Sequence, residues 1–148
     1  MSLKERITED MKAAMRAKDA QRLSTIRLLL AALKQKEVDD RVVLADSDVM
    51  AIIEKLIKQR RDSIDQYLAA KRQDLADAES YELNLLQSYL PPQLSEEDVS
   101  AEISRAISAA GAATAKDMGK VMGILKGRLA GQADMGKVSA LVRTKLST

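Results

Sequence analysis

Apolar residues recur at three- and four-residue intervals along nearly the whole chain, a period that lays them on one face of a helix and leaves the strand template nothing to match. Ser2 with Glu5 three residues on forms a capping-box pattern, so the first helix is expected to start there and to bury Leu3, Ile7, Met11 and Met15. Asp19 caps a second helix over about Ala20 to Glu37, with Leu23, Ile26, Leu30 and Leu33 inward and Leu29 widening the apolar face. The stretch from Val38 breaks the period. Asp46 or Ser47 then caps a long third helix to about Lys71 with core positions Val49, Ile52, Ile53, Leu56, Ile57, Ile64 and Leu68. A fourth helix, about Asp74 to Tyr89, offers Leu75, Tyr81, Leu85, Leu86 and Tyr89.

Pro91 and Pro92 cannot continue a helix and push the chain toward an extended path, which marks a boundary. The fold expected is all-α: an N-terminal domain of about four helices over 1–90, a linker over 91–94, and a three-helix C-terminal domain over 95–148. Ser95 ahead of Glu96, Glu97 and Asp98 starts the first of these three helices, Val99, Ile103 and Ile107 line its inner side, and Gly111 ends it. Thr114 and Asp117 open the next, Gly131 closes it, and Asp134 caps a last helix burying Val138, Leu141, Val142 and Leu146.

The middle helix of that trio is unusual. Gly119, Gly123, Gly127 and Gly131 recur every fourth residue in MGKVMGILKGRLAG, while Met118, Val121, Met122, Leu125 and Leu129 share another side. Each interior glycine costs about 1 kcal/mol against alanine, so the stripe needs a compensating close approach. Lys116, Lys120 and Lys126 fall beside it, giving a bare trough edged by ammonium groups. Such a trough admits a phosphodiester backbone and needs no particular base. The competing reading is a packing seam in which another helix fills the groove. The tetrapeptide MGKV recurs at Met118 and Met135, setting Gly-Lys pairs, Lys137 included, near two helix starts where free amides attract anions.

Charge sharpens the contrast between the halves. Residues 1–90 hold 16 basic and 16 acidic side chains, whereas 111–148 hold seven basic against two acidic. The KQRR run at Lys58 to Arg61 is offset by opposite charges four residues away, Glu54, Asp62 and Asp65, and reads as a solvated face. With 0 His and 0 Cys, zinc ligation, thiol nucleophiles and imidazole bases are excluded, and no catalytic residue, cofactor or metal is expected. Adjacent acids such as Asp39 with Asp40 and Glu96 with Glu97 point apart on a helix and receive no chemistry. The longest apolar run, Leu28 to Leu33, is too short for a membrane span, and the charged start suggests a cytoplasmic protein.

The succession LPPQLSEEDV, Gly111, MGKVMGILKGRL and GQADMGKV, with QRRDSIDQYLAAKRQDLADAESYELNLLQSYLP before it, resembles the YqeY family. The C-terminal part is similar to the tail domain of the GatB subunit of the tRNA-dependent amidotransferase. That resemblance implies an all-α fold and a part in translation as a tRNA-binding module; on the spacing and charge read above, Lys116, Gly119, Lys120, Gly123, Lys126, Gly127, Arg128 and Lys137 are the residues expected at the RNA surface. It also links the chain to carbon-nitrogen ligation with glutamine as amido-N donor, although no Ser-Ser-Lys amidase constellation is recognisable and independent activity is not expected. GQAD departs from the family's commoner GRADG, so one arginine beside the trough is missing. Three readings follow: a non-catalytic binder of tRNA or another structured RNA, an accessory of an amidotransferase subunit or tRNA synthetase, and a purely structural helix-interaction protein. The near absence of aromatics, with Tyr67, Tyr81 and Tyr89 all outside the basic half, disfavours stacking on single strands and favours backbone recognition.

Overall fold

A computed structural model describes residues 1–147, and within them every regular element is helical. The chain divides into two compact units, Met1–Leu90 and the remainder from Pro91 on.

The first unit holds α1 (Leu3–Ala17), α2 (Ala20–Asp40), α3 (Asp46–Ala69) and α4 (Gln73–Gln87). Its core gathers Ile7 and Ala14 of α1, Ile26, Leu29 and Leu33 of α2, Val49, Ile53, Leu56 and Ile57 of α3, Leu86 of α4, and Tyr89. The Ser2–Glu5 capping box forms in both directions, and Asp19 accepts the Arg22 amide at the start of α2.

Several sequence expectations need correction. The second helix runs on through Val38 to Asp40, where Arg41 in the left-handed region (φ 52°) ends it. Neither Asp46 nor Ser47 caps α3: Ala45 sits at that position and donates to Asp48 Oδ2 at 3.0 Å, while Asp46 Oδ1 accepts the Leu3 amide at 3.0 Å and so ties the starts of α1 and α3. Met15 is 48% exposed, with Ala14 taking the inward place; Leu68 is 48% exposed near the end of α3. In the KQRR run, Arg60 reaches across to α4, where Glu82 accepts its Nε at 3.0 Å and Glu79 lies at 3.8 Å. That clamp adds a charged tie between two helices already packed in one core.

Tyr89 closes this unit. The residue is 5% exposed, its hydroxyl donates to Asp10 Oδ2 at 2.6 Å, and the Arg6 guanidinium stands 5.3 Å from the ring centroid.

The second unit holds α5 (Glu96–Ala110), a 3-10 turn (Ala115–Asp117), α6 (Met118–Leu129) and α7 (Met135–Leu146). Its core is Val99, Ile103 and Ala106 of α5, Val121, Leu125 and Leu129 of α6, and Val138, Val142 and Leu146 of α7. Leu141, expected inside, is 42% exposed, because the inward stripe of α7 runs through Val138 and Val142. Gly111 (φ 63°) ends α5, and Gly131 (φ 74°) follows α6. Residues 91–94 are fastened within this unit: Gln93 Nε2 donates to the Gly131 carbonyl at 2.7 Å, and the Leu94 amide donates to the Gln132 carbonyl at 2.9 Å.

Burial, then the hydrogen bond to Asp10, raises the Tyr89 pKa. A raised value means stability that is complete below the unfolded tyrosine pKa of about 10 and declines as pH rises beyond it. Tyr89→Phe is therefore expected to cost about 1–2 kcal/mol in urea unfolding near neutrality and to flatten the alkaline decline; equal slopes in the two proteins would contradict this.

Candidate nucleic-acid interface

The glycine helix is pinned by one row. Val121, Leu125 and Leu129 are each 0% exposed, and at about 1.5–3 kcal/mol per buried aliphatic side chain they outweigh the roughly 3 kcal/mol that three interior glycines cost. At about 100° per residue, Gly119, Gly123 and Gly127 then centre on the side of α6 opposite that row. All three are exposed. A methyl added at any of them would meet no side chain and no neighbouring element within 4 Å. The packing-seam reading fails within this unit, since no helix of the unit fills the groove. Gly131 differs: it is buried, its φ is positive, and it belongs to the turn after the helix.

Cations lie on and near this helix. Lys120 and Lys126 project on its two sides by the same angular placement. Lys116 lies in the 3-10 turn that precedes α6, and Lys137 lies in the first turn of α7. All four are exposed, and among the described residues none of them forms an ion pair. Arg128 stands apart. It leans toward α5, with its Nη1 3.7 Å from Glu102 Oε2, and Glu102 also pairs with Arg105.

At the two Gly-Lys helix starts, part of the amide capacity is already engaged. At α7, Asp134 Oδ1 accepts the Gly136 amide at 2.9 Å. Ahead of α6 the 3-10 turn takes up the amides of Asp117 and Met118 through the Thr114 and Ala115 carbonyls. Asp117 Oδ2 in turn accepts the Ala113 amide at 3.1 Å and the Thr114 amide at 3.4 Å. These two bonds, with a smaller contribution from Lys120, hold its carboxyl below the usual range. Exposed glycine backbone and ammonium groups are thus the main features that this surface offers a ligand.

Sequence reasoning missed Lys145. Its ammonium donates to Ser100 Oγ at 2.9 Å, to Ser104 Oγ at 3.0 Å and to the Ser100 carbonyl at 3.2 Å, stapling α7 to α5. One of the seven basic residues in the C-terminal segment is thus engaged in structure, and a single sequence carries no signal for a contact 41 and 45 residues away.

Comparison with known proteins gives a family and a set of relatives. The model of the family described as Yqey-like protein matches residues 4–146. Altered inheritance of mitochondria protein 41 of Vanderwaltozyma polyspora is 45% identical over 85 residues, 57% of this chain and 46% of the relative. The protein of the same name in Eremothecium gossypii is 42% identical over 98 residues, 64% and 54% of the two chains, and that of Lachancea thermotolerans 38% over 107 residues, 69% and 56%. The chain spans about half the length of the curated relatives it matches. These relatives are named as mitochondrial proteins, which overturns the expectation of a cytoplasmic one. A charged start bears on membrane crossing and does not specify a compartment. No helix among the described residues is long and apolar enough to cross a membrane.

Open space at Gly123 makes a direct prediction. Gly123→Ala is expected to raise the stability of the C-terminal unit by up to about 1 kcal/mol, read as a higher Tm of the full chain, because a methyl there adds helix propensity without a clash. Gly111→Ala, at a positive φ, is expected to lower it by about 1 kcal/mol. A destabilised Gly123→Ala would return the band to the status of a seam.

Proposed function

Because the chain belongs to the YqeY family, with a match that runs through both units, we propose that it is a non-catalytic module that binds tRNA or another structured RNA by its backbone and shape. The observation that carries the proposal is the exposed glycine band of α6 with Lys120 and Lys126 on its two sides and Lys116 in the turn before it, and with Lys137 in the first turn of α7, none of them in an ion pair among the described residues. Bare backbone lets a sugar-phosphate chain come closer than any side chain would allow, and ammonium groups attract phosphates without reading sequence.

The division of charge supports the same reading. The first 90 residues are balanced in charge and the acids of the second unit cluster in α5, at Glu96, Glu97, Asp98 and Glu102, so the attraction for a polyanion is concentrated on residues 111–148. Arg128 contributes less freely than the lysines, since Glu102 competes for it. Asp117 beside Lys120 and Asp134 beneath the start of α7 further limit the field, so the affinity expected is modest and strongly dependent on salt.

Titration of the full chain with total tRNA at low ionic strength tests this. Binding is expected to weaken steeply as salt rises, and the pair Lys116→Glu and Lys120→Glu is expected to weaken it further and to lower the log–log salt slope by about two. No binding at low salt, or binding indifferent to the charge reversal, would remove the proposal. Capture of an amidotransferase subunit or a tRNA synthetase by the RNA-free protein would put the accessory reading in its place.

A further inference from the structure

The outward side of α2 carries no charge. At about 100° per residue, Gln21, Ser24, Leu28, Ala31, Gln35 and Val38 fall within one sector of the helix, opposite the core row of Ile26, Leu29 and Leu33. All six are exposed, Leu28 by 40% and Val38 by 63%. Every charged residue of α2 lies outside that sector. A solvent-facing helix surface ordinarily gathers the charges, so this one has the composition of a contact face.

The six positions alternate steps of three and four, the repeat by which two helices mesh side by side. Ser24 and Ala31, short side chains between longer ones, allow the two axes to come close. Charge along the margins then decides what lies there. Arg27 and Lys34 border one margin of the sector and Asp39 the other. None of the three forms an ion pair among the described residues, and Asp39 Oδ1 accepts only the Gln35 amide of its own helix at 2.8 Å. A second α2 running antiparallel would bring like margins together, with Lys34 facing Lys34. A second α2 running parallel brings opposite margins together: Lys34 of each copy meets Asp39 of the other, and two-fold symmetry makes the pair twice. Gln35 then faces Gln35, and each amide can donate to and accept from its mate.

We propose that this face is covered by the same face of a second copy of the chain, the two α2 helices lying parallel. Leu28 and Val38 supply the apolar contact, Gln35 fixes the register and the Lys34–Asp39 pairs fix the direction. The seam is one helix long, so the area it covers belongs to the low end of specific interfaces, below about 1,200 Å² in total, and the dimer is reversible and dependent on concentration. It uses the first unit alone and stands independently of the RNA reading.

Sedimentation of the full chain without RNA, over about 5 to 500 μM, tests this and is expected to show a monomer–dimer equilibrium. Leu28→Lys combined with Val38→Lys is expected to raise the dimer dissociation constant at least about tenfold with the Tm held, because both side chains face solvent in the monomer. Lys34→Glu alone and Asp39→Lys alone each set like charges across the seam, and each is expected to weaken the dimer by roughly fivefold. An equimolar mixture of those two variants restores opposite charges on both margins and is expected to recover dimerisation, as a heterodimer. A wild-type chain that stays monomeric over the whole range overturns the proposal and leaves the face to a different protein. A dimer indifferent to Leu28→Lys with Val38→Lys forms elsewhere and overturns it as well. A dimer that those two changes weaken but Asp39→Lys does not, with no recovery in the mixture, contradicts the parallel pairing.

Discussion

The burial of Val121, Leu125 and Leu129 fixes the roll of α6, and everything proposed for the surface depends on that roll. Rotating the helix by a quarter turn would carry the glycines toward α5 or α7 and convert a groove into a seam. Three fully buried aliphatic side chains resist such a rotation by several kcal/mol, more than the glycines forfeit in helix propensity. The inner face thus allows the outer face to be bare. The same arrangement explains why the glycines need no packing partner within the unit: their cost is met by the core and not by a neighbouring helix.

Around α6 the unit is built to hold still. Ser95 caps α5, Asp134 caps α7, Asp117 gathers two amides of the connecting loop, and Lys145 fastens α7 to α5 through two serines. Gln93 and Leu94 bind the turn that follows α6. Each of these devices uses up a charge or an amide that a sequence reading might have assigned to a ligand. The acids at the two Gly-Lys helix starts serve capping and loop closure.

Much of this was legible in the chain because local chemistry carried it. The Ser2–Glu5 box, the Asp19, Ser95 and Asp134 caps and the glycine terminators at Gly111 and Gly131 all work over a few residues, and the helices start and stop where those signals stand. What stayed hidden depends on partners distant in sequence. Asp39 and Asp40 read as a break, yet α2 continues through them, with Lys4 of α1 paired to Glu37 in its last turns and Lys36 paired to Asp40. Met15, Leu68 and Leu141 satisfy the apolar period but fall at the edges of faces whose centres Ala14, Ile57 and Val142 occupy. The Arg60 clamp and the Lys145 staple are tertiary contacts, invisible to any window along the chain. Of the surface residues, the lysines and glycines were identifiable from spacing alone, whereas the tether of Arg128 to Glu102 was not.

The most direct measurement fills the groove without disturbing the core. Gly123→Gln places a long neutral side chain into open space on the band, where it adds helix propensity and removes no charge. The account predicts an equal or higher Tm together with at least a tenfold weaker dissociation constant for tRNA at low salt. A variant that is fully folded and binds tRNA as tightly as the wild type would contradict it.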